Sequence, residues 1–412
     1  MMDSSTLFRS CLVGFGLAGT LLLGGCTGQE LDDLGIGLYF VKLEKNPQEV
    51  VEFTQNLANE IGFDTIHVYD NATQGFSVRI PDGIVDELRD IPEVRYIKKD
   101  KQNNHTPPEE DTPPDEDIIE DPEPILGPTE TPESITRVGG PYLGNADFSN
   151  FHIAVIDTGI DASHPDLNVV GELDVVADSG AGNAAPGYDP NGHGTHCAGT
   201  IGARADGEGV VGMAPGVPMH AIRVLNAEGS GYWTDIVAGL EYVLDHPEIK
   251  VVSMSLGGPS WDDPNEDPMF EAIAALEAAD VTVVIAAGNE TDDTEYYAPA
   301  GYDLGLTVSA YDASGGTDNG YAWFSNYGDE VDIAAPGMDI LSTYPDGQYT
   351  ELSGTSMATP LVAGAAIAYR AEHPNKNVRQ VFDAITGTGE NNFQGQKGKH
   401  PEPLIDFTSL ME

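Results

Sequence analysis

One serine, Ser356, lies in a run of mostly small residues over 354–360 (GTSMATP). The apolar residues over 361–368 that follow are typical of a buried helix. Ser356 is then expected at the N-terminus of this helix, where free N–H groups and the helix dipole favour negative charge. A serine hydroxyl is a weak nucleophile until a base takes its proton and a third group orients that base. The pattern therefore predicts a histidine and an acid elsewhere in the chain.

Three upstream residues can supply the remaining parts of such a site. Asp157 ends a strand-like apolar run, His193 opens the run HGTHCAGT after a glycine-rich stretch, and Asn289 ends the run AAGN. Together with Ser356 they offer an acid, a base, a rigidly held amide donor and a nucleophile. Acyl transfer needs these four parts.

Each motif also has a simpler interpretation. Asp-Thr-Gly occurs in many turns, and Asn289 alone would be an ordinary turn residue. His193 can be structural, and with His196 and Cys197 it can resemble a metal cluster. Zinc needs three or four converging ligands, and no carboxylate motif accompanies these residues, so we expect no zinc there.

The composition excludes one class of partner. The 412 residues include 68 Asp and Glu against 18 Lys and Arg, a formal net charge of -50, which would repel nucleic acid. Many solvated carboxylates suit a secreted protein in salty water.

Of the three cysteines, Cys11 and Cys26 fall in the N-terminal segment, so the body of the protein is expected to hold one thiol, Cys197, and no disulfide. Bound calcium is a candidate for the missing stabilisation.

Residues 1–26 resemble a secretory signal peptide. Arg9 precedes an apolar run over 11–23 that is too short for a membrane span and ends in small residues. The sequence LGGC over 23–26 is similar to a bacterial lipoprotein signal, in which Cys26 would be lipidated; an ordinary cleaved signal is the alternative. Either one predicts a secreted or cell-envelope protein, and a lipid on Cys26, in the first case, would be its only membrane contact.

Three segments follow the signal. Over 35–101 the pattern predicts β-α-β-β-α-β, the order of a ferredoxin-like α+β domain. Over 102–134 Pro, Glu, Asp and Thr dominate, which predicts an extended, easily cut linker. Over 135–412 short apolar runs alternate with helical patterns, which predicts an α/β fold with a mostly parallel sheet and a site beyond the carboxyl ends of its strands. The predicted strands cover 151–156, 219–224, 251–255, 281–286 and 306–310, and the predicted helices cover 233–244 and 268–279.

These motifs resemble the subtilisin family of serine proteases over about 135–390. The shared motifs are DTG at 157–159, HGTHCAGT at 193–200, SLGG at 255–258, AAGN at 286–289 and GTSMATP at 354–360. The segment over 35–101 is more weakly similar to the family's propeptide, which assists folding and blocks the new active site. The cysteine after the second histidine is similar to the proteinase K branch. The resemblance implies a three-layer subtilisin-like fold and a secreted endopeptidase made as a self-processed zymogen.

The resemblance also implies a role for each motif. Ser356 would attack the scissile carbonyl, and His193 would act as general base and then general acid. Asp157 would hold the tautomer of His193, while the Asn289 side chain and the Ser356 backbone N–H would bind the oxyanion. No cofactor is implied for catalysis. Cys197 would be a buried free thiol one helical turn from His193.

Substrate is implied to bind as an added strand, read mainly through its backbone. The implied contact residues are Gly229, Ser230, Gly231, Trp233, Ser255, Leu256, Gly257, Ala286, Ala287, Gly288 and Ala298. Trp233 would border an outer apolar subsite, and the residues over 286–288 and 297–300 would wall a primary pocket for a large apolar side chain. The alternative is that Trp233 and Tyr297 only pack in the core.

Two carboxylates match a calcium site of the family. Asp166 stands in the motif HPDL, and Asp206 lies in the loop over 204–210 where the second side-chain ligand would come. The partners implied are protein or peptide substrates and the chain's own propeptide, and the enzyme would be a monomer.

Two rival functions remain. The first is a catalytically silent subtilisin-like binding scaffold, which a fluorophosphonate label on Ser356 would exclude. The second is a serine-carboxyl peptidase, which shares a Gly-Thr-Ser motif but uses Glu and Asp and works in acid. The glycine-rich context of His193 disfavours this second function, and the pH optimum separates the two.

Overall fold

A computed structural model describes residues 31, 34–100, 131–176, 187–260, 266–314, 320–391 and 399–412, together with the backbone at 12–15, 21–24 and 103–104. Strands β1 (Leu12–Phe15) and β2 (Leu21–Gly24) pair antiparallel. The rest of the predicted signal segment, including Cys26, lies outside the described residues, as does most of the predicted linker. Among the helices described, none is both long enough and apolar enough to cross a membrane.

A small α+β domain occupies the first large described segment. Its elements are β3 (Ile36–Leu43), α1 (Pro47–Ile61), β4 (Thr65–Tyr69), β5 (Gly75–Pro81), a 3₁₀ turn (Asp82–Ile84), α2 (Val85–Arg89) and β6 (Val94–Asp100). The antiparallel sheet has the order β4-β5-β3-β6, which is the predicted ferredoxin-like arrangement. Pro47 begins α1 with a preset φ, and Gly62 ends it in the left-handed conformation that glycine tolerates.

The two faces of the small sheet have different partners. Tyr39, Val41 and Leu43 of β3 belong to the domain's own core. Phe40, between them, belongs to a second core that is shared with the large domain. Because side chains alternate across a strand, this pattern leaves one face of the small sheet to bury against another surface.

The large domain continues the chain from 131. Its helices are α3 (Glu133–Arg137), α4 (His193–Gly202), α5 (Trp233–Leu244), α6 (Pro268–Ala278), α7 (Thr355–Glu372), α8 (Val378–Thr388) and α9 (Phe407–Met411). Strand β7 (Asn103–Asn104) precedes it, and its own strands are β8 (His152–Asp157), β9 (Val169–Asp174), β10 (Met219–Arg223), β11 (Ser230–Gly231), β12 (Ile249–Met254), β13 (Gly258–Pro259), β14 (Thr282–Ala286), β15 (Tyr297–Ala298), β16 (Leu306–Asp312), β17 (Gly320–Tyr321), β18 (Ile333–Pro336), β19 (Ile340–Tyr344) and β20 (Gln348–Leu352).

Among the described residues, eight strands form the central sheet in the order β17-β16-β14-β12-β8-β10-β9, with β18 also paired to β16. All its pairs run parallel except β16 with β17. The five predicted strands are β8, β10, β12, β14 and β16, and their bounds agree within two residues. The fold is therefore the predicted α/β arrangement with a mostly parallel sheet.

Helices cover both faces of this sheet. On β8, Ile153 and Val155 pack in a core with α4 and α7. Ala154 and Ile156 point the other way, into the core that contains α5 and α6. A strand with apolar side chains on both faces needs a continuous apolar run, which is the pattern that predicted it. The carboxyl ends of β8, β12 and β14 open toward the starts of α4 and α7 and carry the candidate site.

Candidate active site

Asp157 and His193 form a buried hydrogen-bonded pair. Asp157 is the last residue of β8, and His193 is the first residue of α4. The His193 Nδ1–Asp157 Oδ1 distance is 2.8 Å, and the two side chains are 6% and 0% exposed. A carboxylate at this position accepts a hydrogen bond from Nδ1–H, which leaves the lone pair on Nε2. Within the described part of the chain this buried Nε2 has no hydrogen-bond partner, so it is available to a reacting group.

Ser356 occupies the first turn of α7, as predicted, with Thr355 before it. Its Oγ donates to the carbonyl oxygen of Ser255, at 3.2 Å. Its own carbonyl accepts from Ser255 Oγ at 2.8 Å and from Cys197 Sγ at 3.5 Å. The end of β12 and helix α4 therefore both hold the Ser356 backbone. The sequence did not indicate this role for the Ser255 hydroxyl.

The Asn289 amide is oriented from the start of α7. Its Oδ1 accepts from the Thr355 backbone N–H at 2.9 Å and from Thr355 Oγ1 at 3.0 Å. Thr355 Oγ1 in turn accepts from the Gly288 N–H at 3.1 Å. A Cβ added at Gly354 would lie 3.5 Å from Asn289 Nδ2 and 3.6 Å from Ser356 N. Glycine thus leaves open a small space that two hydrogen-bond donors border.

A residue that sequence reasoning missed, Asp189, holds the start of α4. Its Oδ1 accepts from Thr158 Oγ1 at 2.8 Å and from Gly192 N at 2.9 Å, and its Oδ2 accepts from Thr195 N at 2.9 Å. A carboxylate that accepts N–H groups at a helix start is a cap, and it restrains the turn that carries His193. The Asp-Pro-Asn-Gly turn over 189–192 is the local signal for it.

The pKa values of His193, His196 and Cys197 are shifted in different directions by their surroundings. Burial, the largest single effect, lowers the pKa of His193, but the charges and hydrogen bonds of Asp157 and Cys197 together raise that pKa well above 6.5. Burial lowers the pKa of His196 to about 3, and its Nε2 donates to the carbonyl of Ile340 at 2.8 Å. His196 is thus a neutral structural residue that contacts backbone carbonyls of β19 and β20. Cys197 is a buried free thiol, as predicted, and burial raises its pKa.

Both segments predicted to bind the substrate backbone adjoin strands. Strand β11, Ser230–Gly231, follows Gly229 and pairs antiparallel with β7. Ser255, Leu256 and Gly257 follow the end of β12, and the Ser255 carbonyl accepts from Ser356 Oγ. Both segments were predicted as substrate contacts, and β11 already accepts an extended strand from the chain's own N-terminal part.

The residues predicted to wall the primary pocket lie at the end of β14. Ala286 and Ala287 are buried and Gly288 is half-buried. Ala298 is fully buried in β15, which pairs with β13 through Gly258. Tyr297 is half-buried. The side chains of Ala286, Ala287 and Ala298 are small and uncharged.

The small domain lies against α5. The Glu241 carboxylate accepts the backbone N–H groups of Asp70, Asn71 and Ala72 at 3.0, 2.5 and 2.7 Å. Asp100 Oδ2 accepts the Thr234 N–H at the start of α5, at 2.8 Å. Two carboxylates thus join the domains through helix-cap and turn contacts.

Trp233 begins α5 and is 3% exposed. It belongs to the same core as Phe40, Tyr69 and Tyr96 of the small domain. In the intact chain Trp233 is therefore a packing residue at the domain interface.

The two predicted calcium ligands differ in burial. Asp166 is buried, and its Oδ2 accepts from Tyr349 Oη at 2.7 Å and from Val210 N at 3.3 Å. Asp206 is exposed on the loop that leads to Val210. Burial, the hydrogen bond to Asp166, and the charges of Asp166, Asp206 and Glu208 raise the pKa of Tyr349, so the loop concentrates negative charge. Negatively charged oxygen ligands of this kind are the ones that calcium prefers.

A known protein family matches most of the large domain. The model of peptidase S8, the subtilase family, matches residues 149–401. The chain belongs to the subtilase family. It is accordingly a serine-type endopeptidase, a class that acts on peptides or proteins.

Several subtilisins are similar to this subtilase. Subtilisin DY of Bacillus licheniformis is 40% identical over 247 residues, 59% of this chain and 85% of the relative. Subtilisin E of Bacillus subtilis (strain 168) is 39% identical over 276 residues, 65% of this chain and 69% of the relative. An intracellular serine protease of Paenibacillus polymyxa is 41% identical over 245 residues, 57% of this chain and 72% of the relative.

Proposed function

We propose that this subtilase cleaves peptide bonds through an acyl-enzyme formed on Ser356. The observation that carries the proposal is the buried His193, held at Nδ1 by Asp157 with Nε2 unpaired. The Ser356 hydroxyl turns from the Ser255 carbonyl toward Nε2, gives up its proton and attacks the scissile carbonyl carbon. His193 then passes that proton to the leaving amine. Water, activated by His193 in the same way, releases the acyl group.

The oxyanion of each tetrahedral intermediate would lie between Asn289 Nδ2 and the Ser356 N–H. Support comes from the space beside Gly354, which both donors border. Donors that are already in position need no reorganisation as the charge develops. Thr355 is proposed to hold the amide with Nδ2 toward that space.

Substrate is proposed to add a strand between β11 and the segment over 255–257. Backbone pairing gives breadth, because it reads few side chains. The small, uncharged walls at 286–288 and at Ala298 favour a large apolar residue before the cut. Trp233 would border an outer subsite once the small domain has left.

The domain over 35–101 is proposed to be an inhibitory propeptide. It buries Phe40 against α5 and α6, and β7, just beyond it, pairs with β11 and so occupies part of the proposed substrate groove. Cleavage within the linker over 102–134 would separate it from the peptidase domain over 135–412. Segment 1–26 is proposed to direct export, with lipidation of Cys26 leaving the propeptide at the membrane. Asp166 and Asp206 would hold a structural calcium ion, and the mature enzyme is proposed to be a monomer.

Comparison of the full chain with its Ser356→Ala variant tests the proposal. Intact mass should show that only the parent splits within 101–135, and a fluorophosphonate should label only the parent. A parent chain that neither splits nor takes the label would refute the proposal and favour a silent binding scaffold. A label without splitting would retain the nucleophile and assign the cut to another protease.

A further inference from the structure

A second cluster of ligating side chains lies at the opposite end of the central sheet. His152 begins β8, His220 lies near the start of β10, and Glu248 directly precedes β12. These strands are neighbours in the order β12-β8-β10. In the parallel register His220 is opposite Ala154, so the His152 and His220 side chains share one face of the sheet.

The three ligand atoms converge. His152 Nδ1 and His220 Nε2 are 3.0 Å apart, and His220 Nε2 is 4.0 Å from Glu248 Oε1. One ligand atom from each residue lies within 4.8 Å of the other two. Two ligands of a tetrahedral zinc ion with bonds of about 2.0–2.1 Å are roughly 3.3 Å apart. Shifts below about 1 Å would therefore bring the cluster to zinc geometry.

The surroundings favour a ligand over a simple histidine pair. His220 is 3% exposed, and its Nδ1 lies 3.1 Å from Tyr242 Oη. If Nδ1 donates to Tyr242, the lone pair of His220 Nε2 points into the cluster, which is how a metal-binding imidazole is usually oriented. A Cβ at Gly171 would lie 2.3 Å from His220 Nδ1, so the glycine makes room for this ring. Glu248 is 29% exposed and leaves an ion a way in.

We propose that His152, His220 and Glu248 bind a zinc-like divalent cation, with water as the fourth ligand. Two imidazoles and one carboxylate are a ligand set that zinc takes in proteins. The ion would join the starts of β8 and β10 to the connection between α5 and β12. It would thus stabilise a chain in which the described residues contain no disulfide.

This site is separate from the catalytic pair. His152 and Asp157 are opposite ends of β8, about 16 Å apart at the usual rise per residue. A second group, Asp157, His193 and Cys197, also brings three ligand atoms together. Both groups contain an internal hydrogen bond, so the experiment must tell the two apart.

The test uses the full chain with Ser356→Ala, so that no self-cleavage intervenes, in buffer containing calcium. Zinc affinity is measured by calorimetry, bound zinc by elemental analysis, and coordination by the visible spectrum after cobalt substitution. We expect one zinc per chain and a tetrahedral cobalt spectrum. His152→Gln and the half-exposed Glu248→Gln should each lower zinc affinity at least about tenfold, since even residues that only orient a ligand have effects of 10–100-fold.

Two control variants test whether zinc binds at this cluster and not at neighbouring side chains. His246→Gln changes a neighbouring ring that stacks on Tyr242 and whose Nδ1 is 2.7 Å from the Tyr242 carbonyl oxygen, so it should retain zinc. Cys197→Ala should also retain it. The proposal is overturned if no stoichiometric zinc binds, if His152→Gln and Glu248→Gln bind as the parent does, or if Cys197→Ala alone abolishes binding.

Discussion

Replacing Asn289 by alanine tests the proposed oxyanion site most directly. The change removes Nδ2, one of two donors beside Gly354, and leaves the Ser356 N–H in place. Loss of one such donor typically lowers kcat by about 10²–10³, or roughly 2.7–4 kcal/mol of transition-state stabilisation. KM should change little, because the oxyanion exists only after attack.

The same change has a smaller effect on folding. Asn289 Oδ1 accepts two hydrogen bonds from Thr355, and both donors lose their partner in the variant. Asn289 is only half-buried, so water can replace much of this contact. We expect a loss of about 1 kcal/mol in the free energy of unfolding, a Tm decrease of roughly 2–4 °C.

Asn289→Asp is the matched control. It keeps the shape and the acceptor for Thr355 but replaces the amide donor with a negatively charged oxygen. Repulsion of the developing oxyanion should make it slower than Asn289→Ala. Hydrolysis of a chromogenic peptide with phenylalanine before the cut measures kcat and KM, and calorimetry measures Tm. Turnover of Asn289→Ala within threefold of the parent, or an aspartate variant faster than the alanine variant, would refute the reasoning.

Three further predictions concern titration and the thiol. Because His193 must be neutral to act as base and Asp157 raises its pKa, kcat/KM should rise with pH and reach half-maximum above pH 6.5; a midpoint below 6.5 would contradict this. Burial raises the pKa values of Asp100 and Glu241 to about 7 in the docked chain, so the cleaved propeptide should bind most tightly near pH 4 and lose affinity as pH rises to 7, by up to about tenfold per unit for each group. Asp100→Asn should reduce that dependence in calorimetric binding to the inactive Ser356→Ala enzyme, and an unchanged slope would assign it to another group. Mercurials should inactivate the enzyme slowly through Cys197, whose Sγ lies 3.5 Å from the Ser356 carbonyl oxygen, and full activity of a completely labelled enzyme would disprove this.

Much of the architecture could be predicted because its signals are local. Strands such as β8 and β14 are buried on both faces, so their apolar runs are continuous and their bounds could be predicted within two residues. Strands β19 and β20 gave no such signal, since they combine polar and apolar side chains that are only partly buried. Helix α8 was not predicted either, although its capping box at Asn377 and Gln380 is a local signal.

Contacts between distant segments could not be predicted in this way. Asp189 was missed because its role depends on Thr158, on another strand end, as well as on its own turn. Glu241 looks like any solvated helix residue until the loop over 70–72 comes to lie on it. The face of the small domain that contacts α5 could not be predicted either, because that contact exists only once the two domains meet.

The amino-acid sequence by itself determined the class of fold and indicated the candidate catalytic residues. These depend on periodicity and on short motifs, which neighbouring residues are enough to specify. Only the tertiary structure brought His152, His220 and Glu248 together, since 68 positions separate the two histidines. The register of three parallel strands set that juxtaposition, and no local pattern records the register of distant strands.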